Sequence, residues 1–382
     1  MIEKEVTDME QKKRWINIVL VLILLAAAGL CGFYYGKTAE AQQYQKEKEY
    51  AVQLNRSELE GLGEIGGKIY ITGHRSPDTD TVAGAISCAY LLQQLGYDAV
   101  PVILTPINHE TAFVLEHAGL EVPQLLEDAS GLNMILVDHS EYAQSAEGLK
   151  DARILAIIDH HGDGSVSTGN PLIYDARPIG STATIMWMRY RNYGIEPDQK
   201  TAAVMMSAIL SDTYYFKSEM TTFADREAVK ELSRLAGITD LDTYYQEMYK
   251  ASISYDGMND TEVFFSDYKE YESGSTNFGI ACLNAYDDQS AQELIRRMQN
   301  TLPDMIPRTG MDMIFVMISI FHDDVSVTYL LPGNEAAREV LETAFADKAE
   351  FDGTAYKLEP GIARKKGLVP PVTDILASYP QE

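Results

Sequence analysis

Cysteine is scarce. Cys31, Cys88 and Cys282 are the only three in 382 residues, too few and too widely spaced for a disulfide framework, and they form no CxxC zinc pattern. That fits a reducing compartment or a bacterial exterior protein that does without disulfides. Cations are scarce too: 31 Lys and Arg stand against 57 Asp and Glu, a formal net charge of −26. A protein that tracks a nucleic-acid backbone needs a basic face, so no nucleic-acid partner is expected. An anionic small substrate remains open, because a bound metal or a local group of Lys and Arg can reverse the field inside one cleft. Solenoid repeats and low-complexity tracts are missing, which removes the repeat architectures. What is present is globular: 46% hydrophobic and 23% charged residues exclude wholesale disorder. The length exceeds one ordinary domain of about 100–200 residues and predicts two or three.

One long apolar run stands apart. Residues 15–36 read WINIVLVLILLAAAGLCGFYYG, after Lys12, Lys13 and Arg14 and before Lys37. At about 1.5 Å per residue a helix of that length matches a hydrocarbon core of roughly 30 Å. Trp15 at one end and Phe33, Tyr34 and Tyr35 at the other resemble interfacial belts, and the charge bias puts the N-terminus in the cytoplasm. The expectation is a single-pass membrane anchor with the rest of the chain extracytoplasmic. A cleaved signal peptide ending near Ala39-Glu40-Ala41 is the alternative. Residues 37–66 are polar, rich in helix formers and broken by Gly61, Gly63, Gly66 and Gly67, which predicts a juxtamembrane stalk.

The remainder alternates strands and helices. Lys68–Thr72, Ala99–Leu104, Asn133–Val137 and Ile154–Ile158 are apolar runs, the last two continuous enough for strands buried on both faces. Helical segments are expected near Thr81–Leu95, Glu110–His117, Ser181–Tyr193, Gln199–Leu210 and Asp225–Ala236. That order predicts an α/β domain with a mostly parallel sheet. A polar stretch at Ser254–Asp260 precedes strand-like runs at Phe278–Leu283, Met311–Ile320 and Val325–Leu331 and helices near Ala291–Gln299 and Asn334–Phe345, hence a second α/β domain.

The chemistry follows the strands. His74, Asp78 and Asp80 lie in GHRSPDTD, directly after the first run. Asp138-His139-Ser140-Glu141 follows NMILV, and Asp159-His160-His161 follows ILAII. In an open α/β sheet ligands bind at the carboxyl ends of strands, so three His/Asp clusters should converge, with Asp212 at the end of AVMMSAILSD as a further acid. Mixed carboxylates and imidazoles suit Mn²⁺, Co²⁺ or Zn²⁺. Two metals about 3.5–4 Å apart need bridging carboxylates and serve in-line displacement at phosphorus. One Asp after a strand is often only a helix N-cap, but capping does not account for three such clusters and a downstream acid.

In this order GHRSPDTD, DHSE and DHH resemble the DHH phosphoesterase superfamily. Ala363-Arg364-Lys365-Lys366-Gly367 resembles the SRKKQ-type motif of family II (manganese-dependent) inorganic pyrophosphatases, as does Asp267-Tyr268-Lys269-Glu270-Tyr271. The resemblance covers roughly Lys68 to Leu376. It implies two α/β domains, a DHH-type parallel-sheet domain and a smaller C-terminal one, with the active site between them. It implies two divalent metal ions, Mn²⁺ first, with Co²⁺ or Mg²⁺ as alternatives. His74, Asp78, Asp138 and Asp212 would hold one; Asp80, Asp138, His160 and Asp212 the other. His161, Lys269, Arg364 and Lys365 would contact the substrate phosphates. The implied reaction is hydrolysis of pyrophosphate to two phosphates by a metal-activated water, with domain closure.

The expected organisation is then a tail at 1–14, a transmembrane helix at 15–36, a stalk at 37–66, a metal-binding domain at 67–254 and a substrate-binding domain at 255–382. A homodimer is left open. The chain departs from the family pattern at Ser140, where Asn is usual, at Ala363 in place of Ser and at Gly367 in place of Gln. A related phosphoesterase acting on short polyphosphate, oligonucleotide or cyclic dinucleotide is the alternative, although no GGGH-type motif is present. A catalytically idle, membrane-tethered module is the second.

Overall fold

The computed structural model describes residues 2–322 and 325–378. The chain divides into two compact units, one of residues 1–107 and 115–239, the other of residues 108–114 and 240–382.

The first unit carries α1 (Ile2–Glu60), β1 (Ile69–Thr72), α2 (Thr79–Gln94), β2 (Ala99–Ile103), the latter part of α3 (His109–Ala118), β3 (Gln124–Leu125), β4 (Asn133–Val137), β5 (Arg153–Asp159), β6 (Ile173–Ala176), α4 (Thr182–Tyr193), α5 (Gln199–Asp212) and α6 (Phe223–Ala236). Its strands are all parallel, in the order β3-β2-β1-β4-β5-β6. β4 and β5 are almost wholly buried, as their unbroken apolar runs predict. The chain leaves β1 toward β2 on one side, and β4 pairs with β1 on the other. A crevice opens at the carboxyl ends of the strands where the order reverses in this way.

α1 corrects one expectation. The apolar stretch is no separate span but the middle of one continuous 59-residue helix whose two ends are charged. Among the described residues no helix is long and apolar enough to cross a membrane. The single-pass membrane placement, with a cytoplasmic N-terminus and extracytoplasmic domains, is therefore overturned. The side chains at 11, 12, 16, 17, 22, 23, 28, 31 and 32, on which part of that expectation rests, lie outside the described ones.

The second unit holds α7 (Leu241–Ser252), α8 (Asp260–Phe265), β7 (Tyr268–Ser273), β8 (Thr276–Asn284), α9 (Asp288–Thr309), β9 (Met313–His322), β10 (Val325–Pro332), α10 (Glu335–Phe345), β11 (Ala349–Phe351), β12 (Tyr356–Leu358) and α11 (Val369–Ala377). Its sheet runs β11-β12-β10-β9-β8-β7, with β8 and β9 parallel and the other neighbours antiparallel. β9 shows the two-residue period of a strand buried on both faces. Ile314, Val316, Ile318 and Ile320 pack with residues of α8 and α9, while Met313, Phe315 and Met317 pack with residues of α10 and α11.

Candidate active site

β1, β4 and β5 lie side by side, so the segments that follow them share one edge of the sheet. His74, Asp78 and Asp80 come after β1, Asp138 after β4, His160 and His161 after β5, and Asp212 ends α5. Three sets of ligand atoms each lie within 4.8 Å of one another: His74 with Asp78 and Asp138; Asp80 with His160 and Asp212; Asp138 with His160 and His161. His74 Nε2 stands 3.4 Å from both Asp78 Oδ2 and Asp138 Oδ2. His160 Nε2 stands 3.5 Å from Asp138 Oδ1, 3.8 Å from Asp212 Oδ2 and 3.9 Å from Asp80 Oδ2. Asp138 faces both sets, one oxygen toward each.

Local sequence explains the placement. Asp78 caps α2 by accepting from Thr81 N at 2.9 Å through Oδ1, which leaves Oδ2 for His74; the capping and site roles coincide. Asp80, Thr81 and Asp138 are buried. A Cβ at Gly73 would lie 2.4 Å from Thr81 Cγ2, so only glycine lets the end of β1 pass this close to α2. Thr81 Oγ1 then donates to Asp138 Oδ2 at 2.8 Å, and Thr182 Oγ1 to Oδ1 at 3.2 Å. Asp80 accepts from Ser181 Oγ at 2.7 Å, Thr182 N at 2.6 Å and Ala183 N at 2.9 Å, so its carboxylate sits on the positive end of α4. Asp138 has a φ of 61°, a left-handed conformation that few residues other than glycine adopt.

The electrostatics are those of crowded anions. Burial, then the charge of Asp80, pushes Asp138 up to about 7 despite the opposing hydrogen bond from His74. Burial, then repulsion from Asp80 and Asp138, raises Asp212 well above the carboxylate range. Burial works against the charge on His74, yet hydrogen bonds to Asp138 and Asp78 raise it to about 10. Burial likewise opposes ionisation of Asp78, but the bonds from His74 and Thr81 bring it below its ordinary value. Asp212 Oδ2 is buried and has no hydrogen-bond donor. A buried oxygen without a donor is costly, and a cation there removes the cost. The tautomer of His160 agrees. Its Nδ1 lies 3.0 Å from the carbonyl of Ile179, which can only accept. Nδ1 therefore donates, which leaves Nε2, facing Asp80, Asp138 and Asp212, as the nitrogen placed to ligate a metal. The donor set fits a pair of divalent ions.

His161 is held differently. Its Nδ1 and backbone N both meet Asp159 Oδ1 at 3.0 Å, and its side chain is 57% exposed. The bond to Asp159 raises it to about 9, so it is cationic at neutral pH. Ser140 sits buried with its hydroxyl on the carbonyl of Gly162 at 3.3 Å, which ties the segment after β4 to that after β5.

In the second unit Lys269 lies exposed on β7, and Lys365 exposed on the one-turn π-helix at Arg364–Leu368. Arg364 donates through Nη1 to the carbonyl of Asp267 at 3.0 Å and through Nη2 to its carboxylate at 2.9 Å. A Cβ at Gly367 would lie 2.6 Å from Ile362 Cβ, so no larger residue fits this turn as built. Sequence reasoning places Asp159 in a site cluster without giving it a role, and does not single out Thr81, Ser181 or Thr182. Their one signal is position: Thr81 adjoins Asp80, and Ser181 and Thr182 open α4.

The DHH family, N-terminal domain, matches residues 68–209, and the DHHA2 domain matches residues 246–375. Sheet order, site and paired domains thus define a DHH-type protein. The manganese-dependent inorganic pyrophosphatase of Bacillus subtilis is 34% identical over 312 residues, covering 81% of this chain and 99% of its own. That of Methanothrix thermoacetophila is 36% identical over 313 residues, covering 81% and 98%. A solved structure of a Methanococcus jannaschii protein assigned to the family II inorganic pyrophosphatases is similar with a TM-score of 0.51 and 33% identity, covering 80% of this chain and 98% of that one. The chain belongs to the DHH family, among the manganese-dependent inorganic pyrophosphatases.

Proposed function

We infer that the protein hydrolyses inorganic pyrophosphate to two phosphates with divalent metal ions, Mn²⁺ foremost. The observation that carries this is the convergence of four carboxylates and three imidazoles in three overlapping sets of ligand atoms, one of which includes a buried Asp212 oxygen that has no donor. Likeness to manganese-dependent pyrophosphatases over four-fifths of the chain supports it. His74, Asp78, Asp138 and Asp212 would hold one ion, and Asp80, Asp138, His160 and Asp212 the other. Bound there, the ions lower the pKa of water and offset the negative charge of the phosphates.

The chain's own groups do the rest. Asp138, held by two threonine hydroxyls and a strained backbone, keeps its two oxygens apart and aimed. His161, oriented by Asp159, would offer a donor to a phosphate oxygen or a proton to the leaving phosphate. On the second unit Arg364, its Nη1 and Nη2 each bonded once to Asp267, would offer its remaining N–H donors, while Lys269 and Lys365 would act as point charges. Cations of this kind would offset charge that builds on a departing phosphate.

The test is phosphate release by the purified chain from pyrophosphate, tripolyphosphate and a dinucleotide, each with Mn²⁺, with Mg²⁺ and with EDTA. Fast Mn²⁺-dependent release from pyrophosphate is expected. Preference for the dinucleotide, or release that survives EDTA, refutes the reading.

A further inference from the structure

The end of α1 is built into the first unit, although the DHH match begins only at residue 68, beyond that helix. Leu59 and Leu62 are buried, and with Val52 and Asn55 they follow a helical spacing that lays one face on the domain. Asn55 Nδ2 donates to the carbonyl of Asn192 at 3.3 Å, and Arg56 to that of Tyr193 at 2.8 Å through Nη2. These are among the last carbonyls of α4, which have no partner inside their own helix. Gly194, the left-handed cap of α4, lies so near Val52 that a Cβ would sit 2.9 Å from Val52 Cγ2. Arg189, mid-helix on α4 and only 8% exposed, bonds Glu58 Oε1 at 2.5 Å and Asp175 Oδ2 at 3.0 Å. Tyr193 joins both Glu58 and Arg189. Just beyond α1, Arg153 donates to the carbonyls of Leu62 and Glu64 at 2.6 and 3.0 Å.

The opposite end of α4 is where Ser181, Thr182 and Ala183 hold Asp80 and Thr182 reaches Asp138. One 12-residue helix thus has its first turn on the site carboxylates and its last turn capped by α1. We propose that the end of α1 from Val52, with the turn to Leu62 that follows it, braces α4, with Glu58 as a positioning residue that sets the placement of Asp80 and Asp138 through the buried Arg189. The proposal rests on the metal reading of the site. Its chemistry is simple: a buried guanidinium needs its carboxylates. Without the charge of Glu58, Arg189 retains the Tyr193 hydroxyl and one carboxylate, Asp175, which it shares with Arg177, and α4 shifts to resolve the imbalance. Groups that orient metal ligands from outside the ligand set alter affinity by about 10–100-fold when removed.

The experiment uses the full chain and measures Mn²⁺ affinity by paramagnetic resonance, with helix content and melting followed alongside. Glu58→Gln should weaken Mn²⁺ binding about tenfold. Arg56→Ala, which removes a cap without touching Arg189, should weaken it several-fold and keeps the proposal testable if Glu58→Gln does not fold. Glu49→Gln, on the exposed part of the same helix, should leave affinity unchanged. Lower melting of both test variants with wild-type Mn²⁺ affinity would mean that α1 stabilises without positioning, and the proposal falls. Equal loss in Glu49→Gln overturns it as well. An unaltered chain that binds no Mn²⁺ refutes the metal reading, and the brace with it.

Discussion

Asp212→Asn offers a test in which the metal-free and metal-loaded proteins should move in opposite directions. The carboxyl is buried, repelled by Asp80 and Asp138, and has one oxygen without a donor. In the metal-free chain it costs stability, since a buried group of this kind left unsatisfied is unfavourable by about 1–3 kcal/mol. An amide of the same shape carries no charge and can donate to a neighbouring carboxylate. Units of this size shift by about 2–4 °C per kcal/mol, so the metal-free variant should melt some 2–12 °C above the metal-free wild type. With Mn²⁺ at a hundred times its dissociation constant, one site adds about 2.7 kcal/mol, or roughly 5–11 °C. The variant should keep little of that gain, so the two melting curves cross as Mn²⁺ is added. Scanning calorimetry at pH 8, in EDTA and across a Mn²⁺ series, reads both arms. A metal-free variant that melts no higher than wild type, or one that keeps the full Mn²⁺ increment, would show that Asp212 is neither crowded nor a ligand.

The pH dependence without metal follows in sign. Asp138, at about 7, and Asp212 are raised in the fold, so their contributions are complete below the ordinary carboxylate value and are lost as pH rises, that of Asp138 through about 7. His74, raised to about 10, acts in the same sense from about 6.5 upward. Asp78 is lowered, so its contribution is lost only as pH falls below the carboxylate range. Melting in EDTA should therefore drop from pH 5 to pH 8. Saturating Mn²⁺ should abolish that drop, because the ligands bind deprotonated; equal slopes with and without metal would contradict this. Thr81→Val removes the 2.8 Å bond to Asp138 and should weaken Mn²⁺ binding about tenfold, read by equilibrium dialysis. Arg364→Lys loses the planar fork and should lower kcat/KM for pyrophosphate by about 10–150-fold, the worth of one charged hydrogen bond of about 1.5–3 kcal/mol. An unchanged kcat/KM would exclude Arg364 from substrate contact.

Much of the fold is legible in the sequence because buried strands and site segments carry strong, local signals. NMILV forms β4 as expected, and ILAII lies within β5. β7 is hidden: YKEYES is half charged because it is the outer strand of its sheet, and an edge has little apolar face to betray it. Of the ten candidate site residues, seven lie at the convergence in the first unit, and Lys269, Arg364 and Lys365 belong to the second. The hydroxyls that hold the carboxylates are not legible. Ser and Thr are common at helix starts, and nothing in a linear chain joins Thr81 or Thr182 to Asp138. The docking face of α1 is masked for a related reason, since Asn55, Arg56 and Glu58 look solvated until Arg189 and the carbonyls of α4 are seen opposite them. The apolar stretch shows the opposite failure: a run of membrane-like composition lies inside a longer helix that, among the described residues, does not qualify as a span.

The backbone at Asp138, with its φ of 61°, narrows what can ever replace that residue. Aspartate, asparagine and glycine tolerate such a twist; a glutamate, longer by one methylene, would meet a conformational barrier as well as a misplaced carboxyl. Asparagine alone swaps charge for neutrality while leaving the main chain at ease, so any deficit it produces can be assigned to the vanished anion. Natural variation at this codon should accordingly be confined to side chains that leave the turn undisturbed.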